Sequence, residues 1–187
     1  MQLKLFNSNK YKFTGETVDR HGHTLHRIRA LRSIPKCNVK AGDLGGFIKS
    51  GANLSQEGDC WIGGDAVAFG NAQVSDNACV SDGAHVYGNA RIYSDARVSG
   101  NARVYGDAWV SGNAHVFGDA HVYGGAWVHS GARVFGGACV YHNAHVLGNA
   151  HVCGNARIYG NACVFGNAQV SGNAWISETH AEGEICN

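Results

Sequence analysis

Gly100-Asn101-Ala102-Arg103-Val104-Tyr105-Gly106-Asp107-Ala108-Trp109-Val110-Ser111-Gly112-Asn113-Ala114-His115-Val116-Phe117 is one six-residue pattern written three times. The pattern runs without insertion from Gly58 to Ser177, which makes twenty consecutive hexads. Position one is usually Gly, and position two is Asn, Asp or Gly. Position three is Ala except for Cys60, and position five is Val or Ile except for Ala68. Positions four and six vary. Positions three to six alternate as a short strand, so the Ala and Val side chains share one face and the variable residues share the other. A small residue beside a β-branched one suits a narrow, close-packed interior. Gly followed by Asn or Asp supplies the left-handed backbone that a tight corner needs. No helical period survives, and the reading is a β-solenoid whose coils bury their apolar faces against one another.

The variable positions set the size of a coil. Position six, read every eighteen residues, gives Phe69, Tyr87, Tyr105, Tyr123, Tyr141, Tyr159 and then Ser177. The other two columns are mixed. One column in three is aromatic, so three hexads make one 18-residue coil and like stacks on like in a triangular prism. Leu44–Lys49 and Ser50–Ser55 are two imperfect hexads upstream, and Gln56-Glu57 inserts two residues after them. Twenty-two hexads make about seven coils, or ~35 Å at ~4.8 Å per coil.

The fold expected is therefore all-β, with three parts. Residues 1–43 form a small N-terminal β cap, 44–177 the hexapeptide-repeat solenoid, and 178–187 a C-terminal tail. Within the cap, Tyr11–Thr14 and Leu25–Ala30 read as strands around a turn at Asp19–Gly22. Caps are needed because open solenoid ends expose unpaired backbone.

Composition narrows the function classes. Gly is 27 of 187 residues, charged residues are 16%, and the formal net charge is +1. One Pro excludes collagen, and the apolar content excludes a charge-rich disordered chain. No apolar run is long enough to span a membrane. The start, Met1–Lys10, lacks an apolar signal core, which predicts a cytoplasmic protein. Seven Cys without a framework spacing predict reduced thiols and no disulfide scaffold. The cap is basic, with ten Lys and Arg against four Asp and Glu in residues 1–57, while the solenoid has five Arg against seven Asp.

Val39–Ile48 and Asn53–Ile62 resemble the N-terminal region of YdcK-type hexapeptide-repeat proteins of enteric bacteria and their phages. The resemblance implies a left-handed parallel β-helix and a phage or prophage setting. Proteins of this type are often labelled transferases because acyltransferases share the fold, and fold does not imply function. The hexad here departs from the common acyltransferase one: Gly falls two places after the aliphatic residue instead of one.

Candidate residues divide between chemistry and binding. An acyltransferase would use acetyl-CoA and a histidine base, for which His121 and His145 are the candidates. No hexad is interrupted by a loop that could build a cleft. The His pair with the five-residue spacing of β-helix zinc sites is His21 and His26, in the cap, so no metal site is expected. His121 precedes Cys139 by eighteen residues, and His145 precedes Cys163 likewise, but neither pair has an evident orienting acid.

The flat ring-and-cation strip is the stronger candidate. It comprises Tyr87, Arg103, Tyr105, His121, Tyr123, Tyr141, Arg157 and Tyr159. A second face carries Trp109 over Trp127, with Arg91 beside them. Either strip fits an interface or a self-stabilising ladder. The expected partners are further copies of the chain (a trimer foremost), then a host protein or a sequestered small ligand. The acidic balance of the solenoid argues against nucleic acid. Apart from acetyl-CoA under the transferase reading, no cofactor is expected.

Overall fold

The structure, a computed structural model, describes residues 9–178, 180–181 and 184–186. Within the expected tail, 178–187, the described His180–Ala181 and Glu184–Cys186 pair in parallel with Cys163–Val164 and Gln169–Ser171 and so continue two walls of the solenoid. The chain forms a parallel β-solenoid of about seven coils. Each hexad contributes a two-residue strand, such as Arg103–Val104, Trp109–Val110 and His115–Val116. Strands eighteen residues apart pair in parallel: Arg103 aligns with His85 below and with His121 above. Three walls result, and the position-three Ala and position-five Val or Ile residues line the interior between them with almost no exposure. Successive coils are joined by main-chain bonds, for example from Arg103 N–H to Ala120 O at 2.9 Å and from Tyr105 N–H to Val122 O at 3.0 Å.

The corner residue is left-handed in every hexad from Gly58 onward that carries a side chain there. Asp76, Asp82, Ser94, Ser130 and His142 all have φ between 57° and 63°. Two of them use the side chain: Asp76 accepts from Ser94 N–H at 2.9 Å and Asp82 from Gly100 N–H at 3.0 Å. Position-two side chains form ladders of their own at the corners, such as Asn71 donating to Asn89 at 3.0 Å and Asn89 donating to Asp107 at 2.8 Å.

The cap is more extensive than expected. Strand β1 (Tyr11–Arg20) and strand β2 (His23–Ala30) form an antiparallel hairpin turning at His21-Gly22. Strand β3 (Leu44–Ile48) pairs antiparallel with β2 and parallel with Val67–Ala68 of the first wall. The hairpin thus extends one wall past the first coil and covers its edge. Phe47 aligns with Val67, and Leu54 bridges Val74. Both offsets are twenty residues, the repeat of eighteen plus the inserted Gln56-Glu57. Gly45 allows β3 to fit, since a Cβ there would lie 2.6 Å from both Ile28 and Trp61. The second imperfect hexad is not a strand. Gly51–Asn53 is a 3-10 turn, in which Asn53 is buried and donates to Ala72 O at 2.9 Å.

The insertion has a second role. Gln56 accepts from the backbone N–H of Lys10 at 2.8 Å, and the carbonyl of Glu57 accepts from Lys10 Nζ at 3.1 Å. Lys10 Nζ also lies 2.9 Å from Cys60 Sγ, with both residues fully buried. Cys60 is the one position-three residue that is not Ala, and it marks where the cap enters the prism. Burial holds the Lys10 ammonium below its usual range, and burial pushes the Cys60 thiol up.

One expectation is overturned. Cys37 and Cys79 form a disulfide, across a Cα–Cα distance of 5.7 Å and 42 residues of chain. The segment between β2 and β3 folds back as a strap along the wall that carries Cys79, Arg97 and His115. It contains the 3-10 turn Pro35–Cys37, and the Cys37–Cys79 bond and a 3.0 Å ion pair from Lys36 to Asp95 fix it there. Cys60, Cys139, Cys153 and Cys163 are free thiols. An odd count excluded a complete pairing but not a single bridge.

Candidate functional site: a stacked ring face

The aromatic column forms on the first wall as a continuous stack. Ring centroids lie 4.8 Å apart for Tyr87–Tyr105, 4.9 Å for Tyr105–Tyr123 and for Tyr123–Tyr141, and 5.3 Å for Tyr141–Tyr159. The planes are within 10° of parallel. The coil rise fixes this spacing, because parallel in-register strands bring identical side chains one above another at the ~4.8 Å strand separation. The rings are half-buried by their neighbours. Burial first, then the adjacent Tyr87 and Tyr123, pushes the Tyr105 phenol up to about 12. The Tyr105 phenol therefore stays neutral near pH 7, and Arg103 and Arg157 supply fixed charge to the face.

The hairpin covers one end of this face. His21 stacks on Phe69 at 5.4 Å and reaches Tyr87 at 6.2 Å, while His23 lies 5.4 Å from Phe69. Phe69 packs with Leu25, Phe47 and Val67, and Tyr87 and Val18 lie against that cluster. The open ladder thus begins at Tyr105 and runs to Tyr159. It ends at Trp175, which is 63% exposed, stands edge-on to Tyr159 at 6.3 Å and carries Arg157 over its ring at 4.8 Å. No periodic relation links the cap to Phe69, so this cover is not readable from the repeat.

The second face stacks as expected. Trp109 and Trp127 are 4.8 Å apart with an interplanar angle of 3°, and Arg91 sits over Trp109 at 5.3 Å. His145 continues the stack on Trp127 at 5.4 Å. On the remaining wall Phe117 stacks on Phe135 at 4.8 Å, a pair the sequence analysis did not single out.

The candidate bases are stacked, not paired with acids. His121 aligns with Cys139, and His145 with Cys163, as the spacing required. Among the described residues no carboxylate pairs with either His, and His121 instead stands edge-on to Tyr105 at 6.5 Å. A groove of about 780 Å³ lies under the strap on another wall and is lined by neither His. Among the described residues no group of three or more His, Cys, Asp or Glu could hold a metal ion. No helix among them is long and apolar enough to cross a membrane.

Four outward histidines share a bias. Burial lowers the pKa of His85, His115, His121 and His129 below 6.5, helped at His85 and His121 by Arg103 and at His115 by Arg97 and Arg133. The unfolded chain takes up these protons at the ordinary value, near 6.5, and the folded chain only at lower pH. Between those limits the unfolded state binds more protons, so stability falls as pH drops through 6.5. We expect the thermal midpoint to decline from about pH 7.5 to about pH 5.5, with a shallower decline in His85→Gln plus His121→Gln. Equal slopes in the two proteins would remove these residues as the cause.

Comparison with known proteins adds one finding. No curated protein matches the chain. The family described as YdcK Beta solenoid repeat matches residues 72–88, 96–112 and 156–172. Those stretches lie in the repeat itself, away from the Val39–Ile62 region on which the resemblance was first seen, and the protein is a β-solenoid similar to the YdcK repeat type.

Proposed function

We propose that this protein is a non-catalytic binding scaffold that presents the open ladder from Tyr105 to Tyr159 to a protein partner. The observation that carries the reading is the partial cover of the stack. The hairpin buries the Phe69 end, so this chain shields such rings where it has the means, yet four Tyr rings, two Arg and His121 continue beyond it uncovered. Neutral stacked rings held rigid lose little conformational entropy on binding, and Tyr and Arg are the residues that dominate interface energetics. The partner is a further copy of the chain, with a trimer foremost, or a host protein. A phage or prophage setting and an anti-defence role rest on the resemblance alone. The Cys37–Cys79 bond favours an oxidising compartment over the cytoplasm expected from the sequence. The alternative, an acyltransferase using acetyl-CoA through His121 or His145, is weakened because no carboxylate among the described residues pairs with either. A third reading is a structural part of a phage particle.

Native mass measurement tests this reading. The wild-type protein is expected above the 19.8 kDa of one chain, at a whole multiple of it or with a bound protein. Tyr105→Ala plus Tyr123→Ala is expected at 19.8 kDa while retaining its β-sheet circular dichroism. The same mass for both proteins would overturn the assignment of the face.

A further inference from the structure

The groove under the strap is built by a change of residue size along one column. Position six on this wall reads Gly63, Ser81, Ser99 beneath the strap and then Phe117, Phe135 beyond it. The three small residues line about 780 Å³ of space between the wall and the strap. Trp61 and Val80 lie in the floor, and Val39 and Leu44 lie along the strap side. Leu44 is 44% exposed although it is a large apolar residue. The disulfide between Cys37 and Cys79 forms part of the lining, so the groove has a covalently fixed wall.

Charge is placed unevenly around it. Arg97 lines this groove and also the smaller cavity of about 340 Å³ that adjoins it through Lys36 and Cys79. Lys36 is spent on Asp95, at 3.0 Å. The Arg97 side chain makes no hydrogen bond or ion pair among the described residues, although its charge, after that of Lys36, helps hold the Asp95 carboxyl low, and its in-register neighbours are Cys79 and His115. Arg97 helps hold His115 in its neutral form. The nearby Asp95 is ion-paired to Lys36, so the donors of the Arg97 guanidinium, beside an apolar floor, are left for an oxyanion from outside the chain. Asp43 and Asp82 lie on the same lining and disfavour a ligand that is anionic throughout.

We propose that this groove binds a small organic acid, its single oxyanion on Arg97 and its apolar body against Trp61, Val39 and Leu44. The site is on a different wall from the ring ladder, so it stands or fails independently of the scaffold reading. A few hundred cubic ångströms of mixed lining is the size that holds a drug-sized molecule.

Calorimetry with 2-naphthoate, against its uncharged isostere 2-naphthamide, tests the proposal on the full oxidised chain. We expect 2-naphthoate to bind one per chain, and the amide about tenfold more weakly because it cannot form the charge-assisted bond. Arg97→Gln is expected to bring the acid down to the level of the amide and leave the amide unchanged. Ser99→Phe is expected to abolish binding of both, and Phe117, one coil further along the same column, shows that the fold accepts the ring. Thermal melting of both variants confirms that they are folded. Tyr105→Ala plus Tyr123→Ala is expected to bind the acid as the wild type does. No heat with millimolar acid, equal affinity for acid and amide, or undiminished binding in Ser99→Phe would overturn the proposal.

Discussion

Val122→Asp is expected to cost about 4 kcal/mol or more, the largest effect of any single substitution considered for this chain. Val122 is fully buried and pairs in register with Val104 below and Val140 above. The interior at that level holds only Ala and Val from three walls, so a carboxylate there finds no donor. A solenoid distributes such damage unevenly, because each coil is stabilised chiefly by its two neighbours. Amide exchange should accelerate first around residues 103–140, and the coils nearest the hairpin and β3 should remain protected longest. Val122→Ile is the matched control. Ile already occupies the same hexad position at Ile92 and Ile158, so that change should fall within about 1.5 kcal/mol of the wild type. Urea denaturation measures both. A Val122→Asp protein as stable as the wild type would show that position five does not face a closed interior.

The same logic explains what was readable beforehand. The repeat states each contact many times: Tyr105 over Tyr87 and Tyr123 over Tyr105 follow from one spacing, and so does Trp109 under Trp127. Any contact between residues eighteen apart is visible as a column. Even the two-residue insertion could be placed, and it reappears as the twenty-residue offset between Phe47 and Val67. The cap has no such redundancy. His21 meets Phe69, and Lys10 meets Cys60, across about fifty residues with no periodic relation, and each contact occurs once. One signal was present and not used: Cys60 is alone among the position-three residues in not being Ala. A break in a strict inward position marks a point where something other than the next coil fills the interior.

The groove was illegible for a related reason. Its floor is written in the column Gly63, Ser81, Ser99, but small residues in an outward column have no meaning until something lies above them. The strap is that object, and nothing in its sequence directs it to the wall of Cys79 and Arg97. The charge of Arg97 was likewise visible only as one of five solenoid arginines. Its lack of a partner is a property of the folded arrangement, in which Lys36 takes the nearby Asp95.

Cys79→Ser is expected to destabilise the cap by up to about 4 kcal/mol and to leave most of the solenoid intact. The Cys37–Cys79 bond closes a loop of 42 residues, and in the chain-entropy account a loop of that length restricts the unfolded chain by about that amount. The remaining clamps on the strap are the solvent-screened Lys36–Asp95 pair, the Arg32–Asp59 pair at 3.1 Å and the buried Ile34, all near its N-terminal half. The solenoid strands at Cys79 and Arg97 are joined by backbone pairing, which the substitution leaves in place. The variant, and the wild type in reductant, should therefore show an early transition of the strap before the main unfolding. Trypsin should then cut after Arg32, Lys36 and Lys40 at denaturant concentrations where the oxidised protein resists it. A single transition unchanged by reductant would mean that backbone and side-chain packing hold the strap without the bond. The strap also walls the groove, so the same reduction should weaken 2-naphthoate binding in step with the appearance of these cuts, which ties the redox state of two cysteines to the occupancy of a site that neither residue contacts through charge.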